Sequence, residues 1–123
     1  MDIAEAIRVG AKLRPQCSVS PFGNRLWEGP IAKGTLGSCA LGAALEALGM
    51  KANKRFNTSA AVASLRKIFG DELIFRQVPH PEEPAGIRHP LIEVIWNLND
   101  NCHWTREAIA DWLDSEILRA RGV

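Results

Sequence analysis

The stretch from Ser38 to Gly49 limits the possible folds more than any other part of the chain. Between these two residues runs Cys-Ala-Leu-Gly-Ala-Ala-Leu-Glu-Ala-Leu, in which Glu46 alone is charged. Ser38 is a helix-capping residue type and Gly49 a helix-ending one, so the spacing predicts a helix over Cys39 to Leu48. A helix that is apolar around most of its circumference has no face to give to water, and it has to run through the centre of the molecule. Gly42, Ala43 and Ala47 lack bulk, which lets neighbouring helices approach its axis.

Helical spacing elsewhere supplies those neighbours. Asp2 is placed to cap a helix over Ile3 to Leu13, with Glu5 at the capping-box distance, an apolar stripe of Ile3, Ile7 and Leu13, and Pro15 to stop it. Asn57 or Thr58 opens a third helix that runs to Phe69, buries Val62, Leu65 and Phe69, and ends at Gly70. Pro90 suits the first turn of a fourth, with Leu91, Val94, Ile95 and Leu98 on one face. Thr105 caps a fifth, and Trp104 stands one residue before the cap, where it can staple onto Ile109. Ile109, Trp112, Leu113 and Ile117 form its buried face, with Gly122 as the stop. Leu73 to Val78 is β-prone and precedes Pro79, so it reads as a short strand. Gln16–Val19 and Arg25–Trp27 are the candidate arms of a hairpin around Pro21-Phe22-Gly23-Asn24. The expectation is a mainly α fold: one compact domain over residues 1–123, about five helices with a short hairpin or strand element.

Composition narrows the function classes. The chain has 123 residues, with 46% hydrophobic and 24% charged, and fifteen basic against fourteen acidic residues give a net charge of +1. That balance argues against a strongly basic nucleic-acid glove, an acidic tail or a disordered polyampholyte. The charge is uneven along the chain: residues 1–61 sum to +4 and residues 62–123 to −3. Cys17, Cys39 and Cys102 are too few, and odd in number, for a disulfide framework, which fits a reducing compartment. Met1-Asp2-Ile3-Ala4-Glu5 carries acid where a signal peptide carries base, and no apolar run is long enough to span a bilayer. The expectation is a cytoplasmic protein with no membrane partner and no cofactor.

Four places could carry chemistry. Cys39, behind Ser38 at the start of the central helix, stands where helical amides and the helix dipole favour a thiolate. A cysteine hydrolase or transferase would pair it with His103, His89 or His80, oriented by Asn99 or Asp100. Its small apolar neighbours favour an inert buried thiol instead. Asn97-Leu98-Asn99-Asp100-Asn101-Cys102-His103-Trp104 packs polar groups between two helices, either as a binding turn or as capping chemistry. As a metal site it lacks the needed spacing, because Cys102 and His103 are adjacent with no second ligand pair. The proline-rich segment Pro79 to Pro90 reads as a long loop whose His80, Glu82, Glu83, Arg88 and His89 are candidates for partner contact. Lys51, Lys54 and Arg55 form one basic cluster, a weak nucleic-acid cue that the interspersed acids elsewhere do not support.

Cys39-Ala40-Leu41-Gly42-Ala43, then Trp96-Asn97 and Asn99-Asp100, then Thr105-Arg106-Glu107-Ala108-Ile109, resembles a family of small uncharacterised bacterial and phage domains. Those domains carry a Cys-Ala-Leu-Gly-Ala helix, a Trp-Asn-Asp turn and a final helix opened by Thr. In the family the Asn-Asp follows Trp directly, whereas here two further residues intervene, so both Asn97 and Asn99 are candidates for its asparagine. The family has no established activity. The resemblance implies a mainly helical fold and a closeness of Cys39 to the Asn99-Asp100 turn.

The preferred reading is a non-enzymatic protein-interaction module, such as a phage or mobile-element inhibitor or accessory protein that binds a host protein. Its binding candidates are Trp27, His80, Glu82, Glu83, Arg88, His89, Asn99 and Asp100, with Trp27 and Trp104 as aromatic anchors. The alternatives are a cysteine-dependent hydrolase or transferase using Cys39, and a weak nucleic-acid binder using Lys51, Lys54 and Arg55.

Overall fold

The small apolar run forms the central helix, α2 (Ala40–Ala47), and every residue from Ala40 to Leu45 is buried. The computed structural model describes residues 1–120, so the expected stop at Gly122 lies outside the described residues. α1 (Ile3–Ala11) crosses α2 with no room to spare: a Cβ on Gly10 would stand 1.8 Å from the carbonyl oxygen of Ala43. Gly42 meets a second backbone, where a Cβ would lie 2.0 Å from the carbonyl oxygen of Pro21. The missing side chains on α2 therefore admit main chain as well as helices.

Four more helices surround this pair: α3 (Thr58–Phe69), α4 (Asp71–Ile74), α5 (Leu91–Asp100) and α6 (Arg106–Ala120). Local caps start three of the helices. Asp2 Oδ1 accepts the Glu5 N–H at 2.8 Å, Asn57 Oδ1 the Ala60 N–H at 2.8 Å, and Thr105 Oγ1 the Ala108 N–H at 3.1 Å. α5 buries Leu91, Ile92, Val94, Ile95 and Leu98, and α6 buries Ile109, Ala110 and Leu113, all within the same apolar core as α1 and α2. Trp96, Trp104 and Trp112 are half-buried at its edge. Leu13, expected in the stripe of the first helix, is 54% exposed because that helix ends two residues earlier, at Ala11.

Short antiparallel pairs complete the fold: β1 (Phe22–Gly23) with β4 (Gly37–Ser38), β2 (Arg25–Leu26) with β3 (Gly29–Pro30), and β5 (Gln77–Pro79) with β6 (Arg88–Pro90). Helices hold 47% of the chain, so the fold mixes helices and small strand pairs and is not mainly helical as expected. The expected strand at Leu73–Val78 is corrected in its first half, where Leu73 and Ile74 close α4. Asp71 and Glu72 put acid in the first turn of that helix, where the dipole favours it, and strand starts only at Gln77. The expected hairpin of Gln16–Val19 with Arg25–Trp27 does not form as a strand pair. One bond joins the two segments, Ser18 N–H to Arg25 O at 2.9 Å, and each turns to other partners: Gln16 bridges Ser38 in parallel, and Arg25 pairs with Pro30. The loop expected over Pro79 to Pro90 is shorter than that: Pro79 ends β5 and Arg88 to Pro90 form β6, so only residues 80–87 connect the hairpin, whose register sets Val78 opposite His89.

A methyl group at Gly42 reverses the usual effect of this substitution. Gly→Ala in an exposed helix stabilises by roughly 1 kcal/mol, whereas Gly42→Ala pushes α2 against the Pro21 carbonyl and is expected to cost about 3 kcal/mol. Urea denaturation followed by circular dichroism measures the difference, and an unchanged midpoint would mean that the Pro21 backbone is not held there.

Candidate binding site

The buried start of α2 lacks a cap of its own. Its N-cap residue is Cys39, not Ser38, and the Cys39 side chain makes no capping hydrogen bond. Ser38 stands one residue before the cap, paired in β4 with Phe22, and its hydroxyl oxygen accepts a hydrogen bond from Arg106 Nη1 at 2.8 Å. The Ala40 N–H is satisfied from far along the chain: it donates to Asn99 Oδ1 at 3.1 Å. Asn99 is fully buried and every polar atom of its side chain is used. Its oxygen also accepts from Gln16 Nε2 at 3.0 Å, and its amide nitrogen donates to Cys17 O at 2.9 Å and to Asp100 Oδ1 at 2.8 Å. A buried amide with each group partnered ties together three segments that share no local sequence.

Arg106 makes a second tie of this kind, and nothing in the sequence pattern marks it. Its buried guanidinium donates to Ser38 O, Ala11 O and Arg14 O as well as to Ser38 Oγ, while Nε is buried with no partner. Burial pushes its pKa below the ordinary arginine value. Arg14, whose carbonyl Arg106 holds, makes a two-bond pair with Glu46 of α2 at 2.8 and 2.7 Å.

Two groups of candidate residues gather at the end of α5. The first surrounds Asn99 and Asp100. Asp100 Oδ1 accepts the backbone N–H of Val19 at 3.0 Å, and the Trp27 indole N–H donates to Asn99 O. Trp27 stacks on His103 with ring centroids 4.5 Å apart and 14° between the planes. Trp27 is therefore half-buried and anchored rather than free, and Trp104 packs on the core; neither is the exposed anchor expected of it. Val19, by contrast, is 77% exposed and sits at φ 77°, while His103 sits at φ 60°. Among the described residues these are the only non-glycine residues at positive φ, one bonded through its backbone to Asp100 and the other stacked on Trp27.

The second group lies where the β5–β6 hairpin meets α5. The Glu82 N–H donates to His80 Nδ1 at 3.1 Å, so the proton of this imidazole is on Nε2, which donates to Asn97 Oδ1 at 2.7 Å. The His89 Nε2–H reaches Glu83 Oε1 at 2.9 Å. Cys102 joins this group unexpectedly: its thiol donates to Asn97 Oδ1 at 3.4 Å and its sulfur lies 4.0 Å from His80 Nε2. Both imidazole nitrogens of His80 are already committed, so no lone pair is left to take the Cys102 proton. Burial and the Glu82 and Glu83 carboxylates push the thiol up to about 11. Arg88 is exposed and turns away to Gln77 O at 2.8 Å.

Cys39 stands beside Asn99 at the helix start, yet its sulfur is sealed. It is 4% exposed, burial pushes it up to about 12, and among the described residues it makes no hydrogen bond to an imidazole. His103 is stacked on Trp27 and His89 is paired to Glu83, so the set Cys39, His103, His89 and Asp100 is not brought together as a nucleophile and base. Lys51, Lys54 and Arg55 are exposed on the loop before α3, and with Leu36 they line a shallow hollow. No cluster of three metal-ligating side chains occurs among the described residues. No protein-family model, curated protein or solved structure matches the chain.

Two measurements check this wiring. Asn99→Ala strands the Ala40 N–H and the Cys17 carbonyl and is expected to cost about 3 kcal/mol or more, while Asn101→Ala on the exposed turn costs under about 0.5. Equal losses in urea denaturation would remove Asn99 from its central place. Burial also raises Cys17 to about 11 and Cys39 to about 12 from an ordinary 9.0, so the folded state keeps thiol protons that the unfolded chain releases. Stability is then fully present below pH 9 and falls as pH rises toward these values, by roughly 1.4 kcal/mol per pH unit for each thiol. There is no tyrosine to titrate in the same range. Iodoacetamide should leave Cys17 and Cys39 unmodified at pH 8 until urea is added, and fast native labelling of Cys39 would reopen thiol chemistry.

Proposed function

We propose that this chain is a protein-binding module whose partner is held at the Val19 turn, beside the Trp27–His103 stack. The supporting observation is the placement of strain. A β-branched residue in the left-handed region costs on the order of 1–2 kcal/mol. At Val19 that cost accompanies a side chain presented to solvent, where it makes no contribution to the core. The Asp100 carboxylate holds the strained backbone from behind, and Asn99 holds Asp100. An apolar side chain kept outward by a rigid, fully bonded support loses little conformational freedom when a partner closes on it. The half-buried indole of Trp27 adds aromatic area next to it, the kind of surface on which binding energy concentrates.

Covalent chemistry has less support. Each of the three thiols is held protonated by burial, and the histidine nearest to a sulfur has no free lone pair. Among the described residues no helix is long and apolar enough to cross a membrane. A cytosolic setting, a reducing compartment and a host protein as target complete the proposal.

Val19→Gly separates binding from folding. Glycine accepts φ 77° without strain, so stability should hold or rise by up to about 1 kcal/mol. Affinity capture with the wild-type chain and with Val19→Gly, read by quantitative mass spectrometry, should show a partner retained by the first and lost by the second. A partner captured equally by both would refute the assignment of this face.

A further inference from the structure

A hollow of about 200 Å³ opens between the β5–β6 hairpin and α5, separate from the Val19 turn. His80, Glu83 and His89 line it from the hairpin side, and Glu93, Trp96 and Asn97 from the helix. Its chemistry is one-sided. Two carboxylates line it and no lysine or arginine does; the nearest arginine in sequence, Arg88, has its guanidinium spent on Gln77 O. Glu83 is fixed at one oxygen by the His89 N–H, while its second oxygen lies 3.9 Å from His80 Nδ1. That nitrogen already accepts the Glu82 N–H, so it gives Glu83 Oε2 no hydrogen bond. Glu93 is exposed at the rim, within the first turn of α5, and no described bond restrains its carboxylate.

We infer that this hollow binds an organic cation, an alkylguanidinium or alkylammonium head group. Its N–H donors would satisfy Glu83 Oε2 and Glu93, and its charge would neutralise the two carboxylates. Trp96 and Val94 supply aromatic and aliphatic wall for the attached carbon chain, and an indole is the aromatic ring with the strongest attraction for a cation. The rigidity is already present: Pro81 and Pro84 stiffen the connection, and the His80–Asn97 bond pins it to α5. The same head group could arrive on a basic side chain of a partner protein or as a free small amine. The inference does not depend on the Val19 face.

Titration of the ¹⁵N-labelled chain with methylguanidinium chloride, followed by the Trp96 indole and Asn97 amide signals, tests it. A saturable shift with Kd on the order of 1 mM is expected for so small a probe, weakened about tenfold in Glu93→Gln and again in Glu83→Gln. Glu93→Gln has no described bond to lose, so its folding cost is limited to the small helix-dipole contribution of a first-turn carboxylate. Uncharged methylurea should give no saturable shift, and added salt should weaken the guanidinium. A blocked Gly-Arg-Gly peptide that binds at least as well as methylguanidinium assigns the hollow to a partner's side chain; a peptide that fails where methylguanidinium binds assigns it to a free amine. Equal binding of methylurea, shifts unchanged in both variants, or no saturable shift from the cation overturns the inference. Any of these would leave the Val19 assignment standing.

Discussion

A helix with no polar side chain at its buried start cannot cap itself, and the rest of this molecule is arranged around that deficit. Free amides at a helix N-terminus cost energy wherever water cannot reach them. At α2 the Ala40 amide is served by Asn99, brought in from a helix 59 residues further on. Once Asn99 is in place its remaining valences decide the path of the irregular N-terminal segment. Gln16 and the Cys17 carbonyl are drawn to its side chain, and Trp27 to its main chain. The irregular stretch after α1 is thus held mainly by one amide and the backbone pairs beside it, with little strand structure of its own.

Arg106 repeats the logic from the other side. It takes over the Ser38 hydroxyl that local reasoning assigns to capping, and it gathers the carbonyls left open at the end of α1. A buried guanidinium without a carboxylate among its hydrogen-bond partners has to be solvated by neutral oxygens, and three carbonyls and the Ser38 hydroxyl do this here. Its partnerless Nε shows that the fit is incomplete. Removing either tie would leave buried polar groups on several segments at once, which is why neither behaves as a local feature.

What could be read from the sequence follows the range of the interaction. The caps by Asp2, Asn57 and Thr105 act over three residues and are legible as spacing. The central position of α2 is legible because composition alone forbids it a wet face. The Ser38 cap failed for a non-local reason: Ser38 pairs with Phe22 in β4 and bonds Arg106 from 68 residues away, and the helix is capped one residue later. The strand expected at Leu73–Val78 failed because β-propensity gave way to a short acidic helical turn after Gly70. The end of α5 drew attention as a run of Asn and Asp, but whether such residues cap locally or bond at long range is not written in the run. Asn97 and Asn99 are two residues apart and serve different sites, one the hairpin and the other the start of α2. The pairing of Cys102 with His80 had no sequence signal, because it depends on a hairpin closing over a helix.

The Trp27–Val19 face also has a place in time. Its local sequence lies in the first quarter of the chain, but its supports are Asn99, Asp100 and His103, contributed by the last quarter. Contacts spanning 72 to 82 residues close late, because the loop entropy must be met before any of them forms. A chain still emerging from the ribosome can wind its early helices and pair Gly10 with Ala43, yet it has nothing to hold Val19 in its left-handed conformation. The face therefore forms only once the segment carrying Asn99, Asp100 and His103 has packed against it, however early its own residues are made.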